Sequence, residues 1–162
     1  ICLQPPFDDL HVLFTQRASH LNHHAGQISF PGGKYESSDE SLVHTALREA
    51  EEEIGLQSDK VRILGTLPEY KTISGFAVLP VIGILDESVD LLVDLKIDRN
   101  EVSRIFQVPL SHLMNQQNYF IHHAERRQHN FPVYFIQYQK DVIWGATAGM
   151  TALLCKHLDF YS

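Results

Sequence analysis

The segment Arg48-Glu49-Ala50-Glu51-Glu52-Glu53-Ile54-Gly55 places four carboxylates within five consecutive positions. At about 100° per residue, Leu42, Val43, Ala46, Leu47, Ala50 and Ile54 fall on one broad apolar face, so the segment reads as an amphipathic helix. Glu49, Glu52 and Glu53 are related by i+3 and i+4 and gather on one edge of that face. Glu51 points roughly 160° away from Glu49, toward solvent. The grouping is unfavourable by itself, because like charges at i,i+4 oppose each other and the C-terminal half of a helix favours cations. Arg48 can bridge to Glu52 but cannot neutralise three carboxylates. Two readings follow from the residues alone. One is a solvated acidic face. The other is an oxygen ligand set for Mg²⁺ or Mn²⁺, which would polarise a phosphate and acidify a water.

The elements that must carry this helix are legible on both sides of it. Val12–Gln16 and Gln27–Phe30 read as short strands, and Ile1–Leu3 as part of another. Pro31-Gly32-Gly33 is a turn. The helix is expected from about Asp39 to Ile54, with Ser37 and Glu40 at capping-box spacing and Gly55 as its stop. Val61–Thr66 and Phe76–Leu85 read as strands, the second almost wholly apolar and so buried on both faces. Arg104–Val108 is a further strand closed by Pro109, followed by a short helix over Leu110–Gln116. Tyr119–His123 and Val133–Tyr138 can pair as a hairpin, and Thr147–Leu158 forms an apolar helix. Helices separated by groups of strands predict a mixed sheet with helices on its faces, α/β or α+β.

Composition bounds the rest. With 162 residues, 44% of them hydrophobic and 20% charged, one globular domain over 1–162 is expected, able to bury roughly 70% of its unfolded surface. The formal charge of −7 opposes a nucleic-acid surface. No apolar run approaches the ~18 residues of a membrane helix, and no signal peptide is recognisable. The two cysteines, Cys2 and Cys155, make no disulfide framework, so the expected compartment is the cytoplasm. The expected partner is a small molecule, with the chain a monomer or homodimer.

Phe30-Pro31-Gly32-Gly33-Lys34, then Glu40, seven residues, and Arg48-Glu49-Ala50-Glu51-Glu52-Glu53-Ile54-Gly55-Leu56 resemble the Nudix box. That pattern is Gly, five residues, Glu, seven residues, Arg-Glu-aliphatic-any-Glu-Glu-any-Gly-aliphatic. Glu40, Arg48, Glu49, Glu52, Glu53, Gly55 and Leu56 match at the right spacing, and Ala50 takes the aliphatic place. One departure is clear: six residues, not five, separate Gly33 from Glu40. The resemblance implies an α/β/α sandwich with a mixed sheet, dependence on Mg²⁺ or Mn²⁺, and hydrolysis of a nucleoside diphosphate linked to another group. By position it implies that Glu49, Glu52 and Glu53 bind metal, with Glu52 and Glu53 central, and that Arg48 orients a glutamate. A carbonyl of Gly32 or Gly33 would complete the metal shell, with Glu40 an outer ligand and Lys34 on the substrate side.

Residues 13–17 (Leu-Phe-Thr-Gln-Arg) and 26–33 (Gly-Gln-Ile-Ser-Phe-Pro-Gly-Gly) are similar to the signature that precedes the box in coenzyme A diphosphatases. The longer spacing before Glu40 is also similar to that subfamily's. Residues 67–70, 74–83, 101–110 and 143–148 resemble its later blocks, so the likeness runs from Leu13 to about Leu154. It implies hydrolysis of coenzyme A or its thioesters to 4′-phosphopantetheine and adenosine 3′,5′-bisphosphate. Arg17 would meet the phosphates. The subfamily's Ser is Ala18 here and its second Arg is Asn22, which removes one cation from a polyphosphorylated substrate. Other diphosphates, such as ADP-ribose, dinucleotides or nucleoside triphosphates, remain the alternative substrates, and a silent nucleotide-sensing domain the alternative class.

Other residues carry two readings each. Arg126 and Arg127, with His122, His123 and His129, form a positive rim for the substrate or a solvated hairpin. Glu101 is a metal ligand or general base, or a strand-edge charge. Glu69 is a weaker candidate of the same kind. His20, His23 and His24 fit no closed zinc site. Trp144 and Tyr138 are expected in the core.

Overall fold

A computed structural model describes residues 1–5, 9–126 and 129–160. In chain order the elements are β1 (Cys2–Gln4), β2 (His11–Arg17), β3 (Ile28–Ser29), α1 (Leu42–Ile54), β4 (Val61–Thr66), β5 (Tyr70–Lys71), β6 (Ala77–Val78) and β7 (Val81–Leu85). They continue with β8 (Val102–Pro109), α2 (Leu110–Met114), β9 (Tyr119–Arg126), β10 (His129–Tyr138), β11 (Asp141–Trp144) and α3 (Ala146–Phe160).

Strand β2 is the axis of the main sheet. One of its edges is shared by β1, which pairs with Val12 and His11, and β3, which pairs with Thr15 and Gln16. Its other edge pairs antiparallel with β8 from His11 to Arg17, with a bulge between Gln16 and Arg17. β1 continues the sheet in parallel to β7, and β7 pairs antiparallel with β4. The sheet is therefore mixed. A second, antiparallel sheet runs β11-β10-β9, and β5-β6 form a separate hairpin.

Alternation along β2 sets the two layers. Leu13 packs on one face with Ala50, Ile54, Leu56, Leu85 and Val102, the α1 side. Val12 and Phe14 pack on the other with Leu113, Ile136, Ile143, Ala148 and Leu154, the side of α2, α3 and the second sheet. Val12, Leu13 and Phe14 are fully buried, and each such side chain stabilises the fold by roughly 1.5–3 kcal/mol. A strand buried on both faces between helices is the α/β/α sandwich, as expected.

Four local expectations need correction. The helix starts at Leu42, not Asp39, because Ser41 is its N-cap and the Ser41 Oγ accepts the His44 N–H at 3.1 Å. Ser37 and Glu40 therefore form no capping box. The apolar run Phe76–Leu85 is split, since Pro80 cannot donate to a ladder, into β6 and the wholly buried β7. The helix after Pro109 ends at Met114. Trp144 is not in the core but 44% exposed on β11. The hairpin strands β9 and β10 are present and longer than expected. No helix among the described residues is long and apolar enough to cross a membrane.

Candidate active site

The turn before α1 and the helix itself are locked by one buried acid, Asp39. Its Oδ1 accepts Arg48 Nε at 2.9 Å, and its Oδ2 accepts Arg48 Nη2 at 3.0 Å, Thr45 Oγ1 at 2.9 Å and the Glu36 N–H at 2.9 Å. Hydrogen bonds from the Arg48 guanidinium hold the Asp39 carboxyl well below the usual carboxylate range, and the same pair raises Arg48. Arg48 then spends its remaining donors on the site. Nη2 reaches the Lys34 carbonyl at 3.1 Å, and Nη1 reaches Glu52 at 3.0 Å and Glu49 at 3.3 Å. Aligning the box on Glu40 passes over Asp39. Its signal lies in the spacing, because five residues separate Gly33 from Asp39 and six from Glu40. Glu40 is exposed, with its N–H on His44 Nδ1 at 3.3 Å.

The four glutamates of α1 separate by environment. Glu53 is buried, and its Oε2 faces the Gly32 N–H across a long 3.4 Å bond. Burial pushes its carboxyl up to about 7; the Gly32 N–H opposes this, the charges of Glu101 and Glu49 add to it, and Arg17 opposes it. Glu49 is largely enclosed, and burial raises it too, against the pull of Arg48 and with a push from Glu52 and Glu101. Glu52 is 58% exposed on the outer edge beside Arg48, and Glu51 is exposed.

The backbone turn at 31–33 closes over this pair. Gly32 has φ 151°, which L side chains rarely adopt. A Cβ on Gly33 would overlap the Glu49 carboxylate, so only glycine lets the chain approach so closely. The far end of α1 is tied to the segment that carries Glu101. Lys96 N–H caps the Ile54 carbonyl and Asp98 N–H the Glu53 carbonyl, both at 2.9 Å, and the Glu101 N–H bonds Asp98 at 3.1 Å. Glu101 in turn accepts the Ala18 N–H at its carbonyl, 2.8 Å, beside Arg17. Gly33, Glu49, Glu53, Glu101 and Arg17 are thus brought to one place from four different segments.

The remaining candidates sit around it or apart from it. Lys34 is exposed, and its carbonyl accepts from Arg48 Nη2. Asn22 is exposed in the loop joining β2 to β3. Arg127 and the side chain of Arg126 lie outside the described residues. Glu69 lies just before β5, away from these contacts in the chain.

Comparison with known proteins agrees with this architecture. A family model described as the NUDIX domain matches residues 4–129. The uncharacterized Nudix hydrolase NudL of Photorhabdus laumondii is 40% identical over 137 residues, covering 85% of this chain and 71% of that protein. Its namesake in Enterobacter sp. strain 638 is 39% identical over 139 residues, covering 86% and 70%. Among solved structures, the C. elegans Ap4A hydrolase superposes with a TM-score of 0.57 at 14% identity, over 100% of this chain and 94% of that one. The M. smegmatis Nudix hydrolase RenU gives 0.55 at 22% identity, over 68% of each chain. These two likenesses speak to the fold. The domain match over most of the chain, together with relatives near 40% identity, shows that the chain belongs to the Nudix hydrolase family.

Proposed function

We propose that this chain is a divalent-metal-dependent diphosphatase acting on coenzyme A or its thioesters, releasing 4′-phosphopantetheine and adenosine 3′,5′-bisphosphate. The observation that carries its hydrolytic half is the enclosed Glu49–Glu53 pair under Gly32 and Gly33, whose carboxyls burial holds above their ordinary range. Two costly acids kept side by side on one helix edge fit a site that takes a cation. Among the described residues, no three Asp, Glu, His or Cys side chains form a ready-made metal cage. Mg²⁺ keeps several waters and is commonly held by one or two carboxylates plus substrate phosphate. The all-oxygen donor set excludes a preference for soft metals. Glu49 and Glu53 would hold the ion, with Glu52 at the outer edge. When bound, it neutralises the diphosphate and acidifies a water.

The chain's own residues supply the rest. Arg17 sits close enough to influence Glu53, and its planar guanidinium suits the non-bridging phosphate oxygens. Glu101, exposed and facing the same carboxylates, accepts the proton of the attacking water. The water oxygen bonds to one phosphorus, the bond to the bridging oxygen breaks, and its electron pair leaves on the departing phosphate. Helix α1, anchored through Asp39 and Arg48, keeps the carboxylates fixed while this happens.

The coenzyme A half is supported by residues 13–17 and 26–33, which in the fold are β2 and the β3–Gly33 stretch that walls the Glu49–Glu53 pair. Incubation with coenzyme A and Mg²⁺ or Mn²⁺, followed by separation of products, tests it. Equal amounts of the two named products are expected, and none in chelator. Intact coenzyme A with ADP-ribose consumed would remove the substrate assignment, and no diphosphate turned over would remove the hydrolytic one.

Gly33→Ala tests the packing beneath the pair. The added methyl must turn the Glu49 carboxylate aside, so Mn²⁺ affinity is expected to fall by about 10-fold or more, as when a metal ligand's support is lost. The melting temperature is expected to change little, since a side-chain end gives way rather than backbone. Unchanged Mn²⁺ affinity in a titration would mean that Glu49 takes no part in holding the ion.

A further inference from the structure

The loop joining β2 to β3 has little packing of its own. His20 and residues 22–25 are exposed, and two of its residues, His24 at φ 56° and Gly26 at φ 69°, lie in the left-handed region. A non-glycine residue there persists only where its surroundings hold it. Internally the loop has the His24–Gln27 side-chain contact at 2.6 Å and two turn bonds, Leu21 N–H to Ala18 and Gln27 N–H to His24. What ties it to the sheet by a side chain is Gln16, whose Nε2 donates to the Gly26 carbonyl at 2.9 Å.

Gln16 is itself oriented. Its Oε1 accepts Arg104 Nε at 2.6 Å from the neighbouring strand β8, which fixes which end of the amide faces Gly26. Arg104 is held on three sides. Its Nη2 meets Asp141 Oδ1 at 2.5 Å, at the tight turn between β10 and β11, and its guanidinium lies 4.5 Å over the Phe106 ring. Phe106 stacks on Phe14 and Phe14 on Phe30, with centroids 5.7 and 4.9 Å apart. Phe30 directly precedes Pro31-Gly32-Gly33. The same guanidinium therefore reaches the β2–β3 loop through Gln16 and backs the turn over Glu53 through an aromatic stack.

We propose that Arg104 is a positioning residue for substrate recognition, acting through Gln16 to hold the β2–β3 loop against the substrate bound beside Arg17. The inference rests on the diphosphatase reading for its kinetic arm only. The loop starts immediately after Arg17 and carries Asn22, so its pose decides how the part of the substrate beyond the diphosphate is met. A loop that wanders binds substrate more weakly, while the Glu49–Glu53 pair on α1 is left as it was. Arg104 and Asp141 touch neither carboxylate, so the effect falls on KM and not on kcat.

The experiment compares wild type with Arg104→Met, Arg104→Lys and Gln16→Met. Met keeps the aliphatic stem over Phe106 in the first and the side-chain length in the last. Backbone amide exchange over residues 20–27 is measured together with kcat and KM. Expected are exchange in that segment about 10-fold faster or more in both Met variants, KM raised by about 10-fold, and kcat within about 3-fold. Arg104→Lys should rescue part of the KM loss, because one ammonium can serve either Gln16 or Asp141 but not both with the same geometry. Exchange over 20–27 unchanged in either Met variant would overturn the proposal, as would kcat falling with KM constant. The exchange arm needs no substrate. It decides the loop's anchoring even if coenzyme A is not hydrolysed, in which case the kinetic arm is run on ADP-ribose. Should Arg104→Met fail to fold, Arg104→Lys takes its place beside Gln16→Met, and exchange over 20–27 unchanged in Arg104→Lys together with unchanged KM would overturn the proposal.

Discussion

Glu53→Gln is expected to lower kcat by about 100-fold or more, the scale on which an electrostatic catalytic group is lost, and to leave the metal-free protein more stable than wild type at pH 8. Burial holds the Glu53 carboxyl at about 7 in the fold, against 4.5 in the free side chain. Between those values the folded state binds the proton that the unfolded state has released. Stability from this group is therefore greatest below pH 4.5 and falls as pH rises through 7. At 1.36 kcal/mol per pH unit, the interval amounts to roughly 3 kcal/mol. The neutral amide escapes that penalty, so thermal melts in chelator should favour the Gln variant at pH 8 and converge with wild type near pH 4.5. Glu52→Gln should lose comparable activity without the stability gain, since Glu52 is mostly solvated. Glu51→Gln should stay within a few-fold on both counts. Equal activity losses at 51, 52 and 53 would point to a general charge effect and remove the assignment.

Asp39→Ala is expected to be the most damaging change outside the carboxylate pair. It frees Arg48, Thr45 and the Glu36 N–H at once, and Arg48 is what keeps Glu52, Glu49 and the Lys34 carbonyl in register. A fall of at least ~30-fold in kcat/KM is expected, in the range of lost orientation of a catalytic unit, together with a lower melting temperature. Because Asp39 titrates below its ordinary value, its contribution is fully present above pH 3.8 and is lost as pH falls below that. Acid unfolding of wild type and Asp39→Asn should therefore converge at strongly acidic pH and separate above it. Glu40→Ala, removing an exposed carboxylate, should do little. If Glu40→Ala matched Asp39→Ala in kinetics, the anchor would be misassigned.

The contrast between Asp39 and Glu40 shows where a linear reading stops. Seven residues separate Glu40 from Arg48, and five separate Gly33 from Asp39, so the one extra residue forces a choice between two acids. Three-dimensional structure chooses by where the helix begins. With Ser41 as the cap, residue 39 drops into the turn beneath Arg48 and residue 40 faces solvent. The helix itself and its Gly55 stop were legible because a 3.6-residue period and a left-handed C′ glycine are local properties, whereas of the expected apolar face Ala50 and Ile54 are buried and Leu42 is 49% exposed. The separation of Glu51 from Glu49 and Glu53 followed from the same rotation. What period alone could not supply was depth. Glu52 and Glu53 lie about 100° apart on the wheel, and of the two it is Glu53 that is buried under the Gly32 turn while Glu52 is solvated.

Long-range partners were equally out of reach. Nothing local announces that Arg104 bonds Gln16 and Asp141, residues 88 and 37 positions away. Trp144 looked like core by its size. It stacks instead on Phe135 at 6.2 Å, on the side of β11 turned away from the buried Ile143. The Phe76–Leu85 run looked like a single strand because its hydrophobicity is continuous. Pro80 marks the break, and the half beyond it, β7, is buried as continuous hydrophobicity predicts.

Substrate choice is decided by kcat/KM for coenzyme A, ADP-ribose and a nucleoside triphosphate measured under a single metal condition. Coenzyme A is expected to lead by at least ~10-fold, a preference of about 1.4 kcal/mol in the transition state. A tenfold lead for ADP-ribose or the triphosphate would rule out coenzyme A as the preferred substrate.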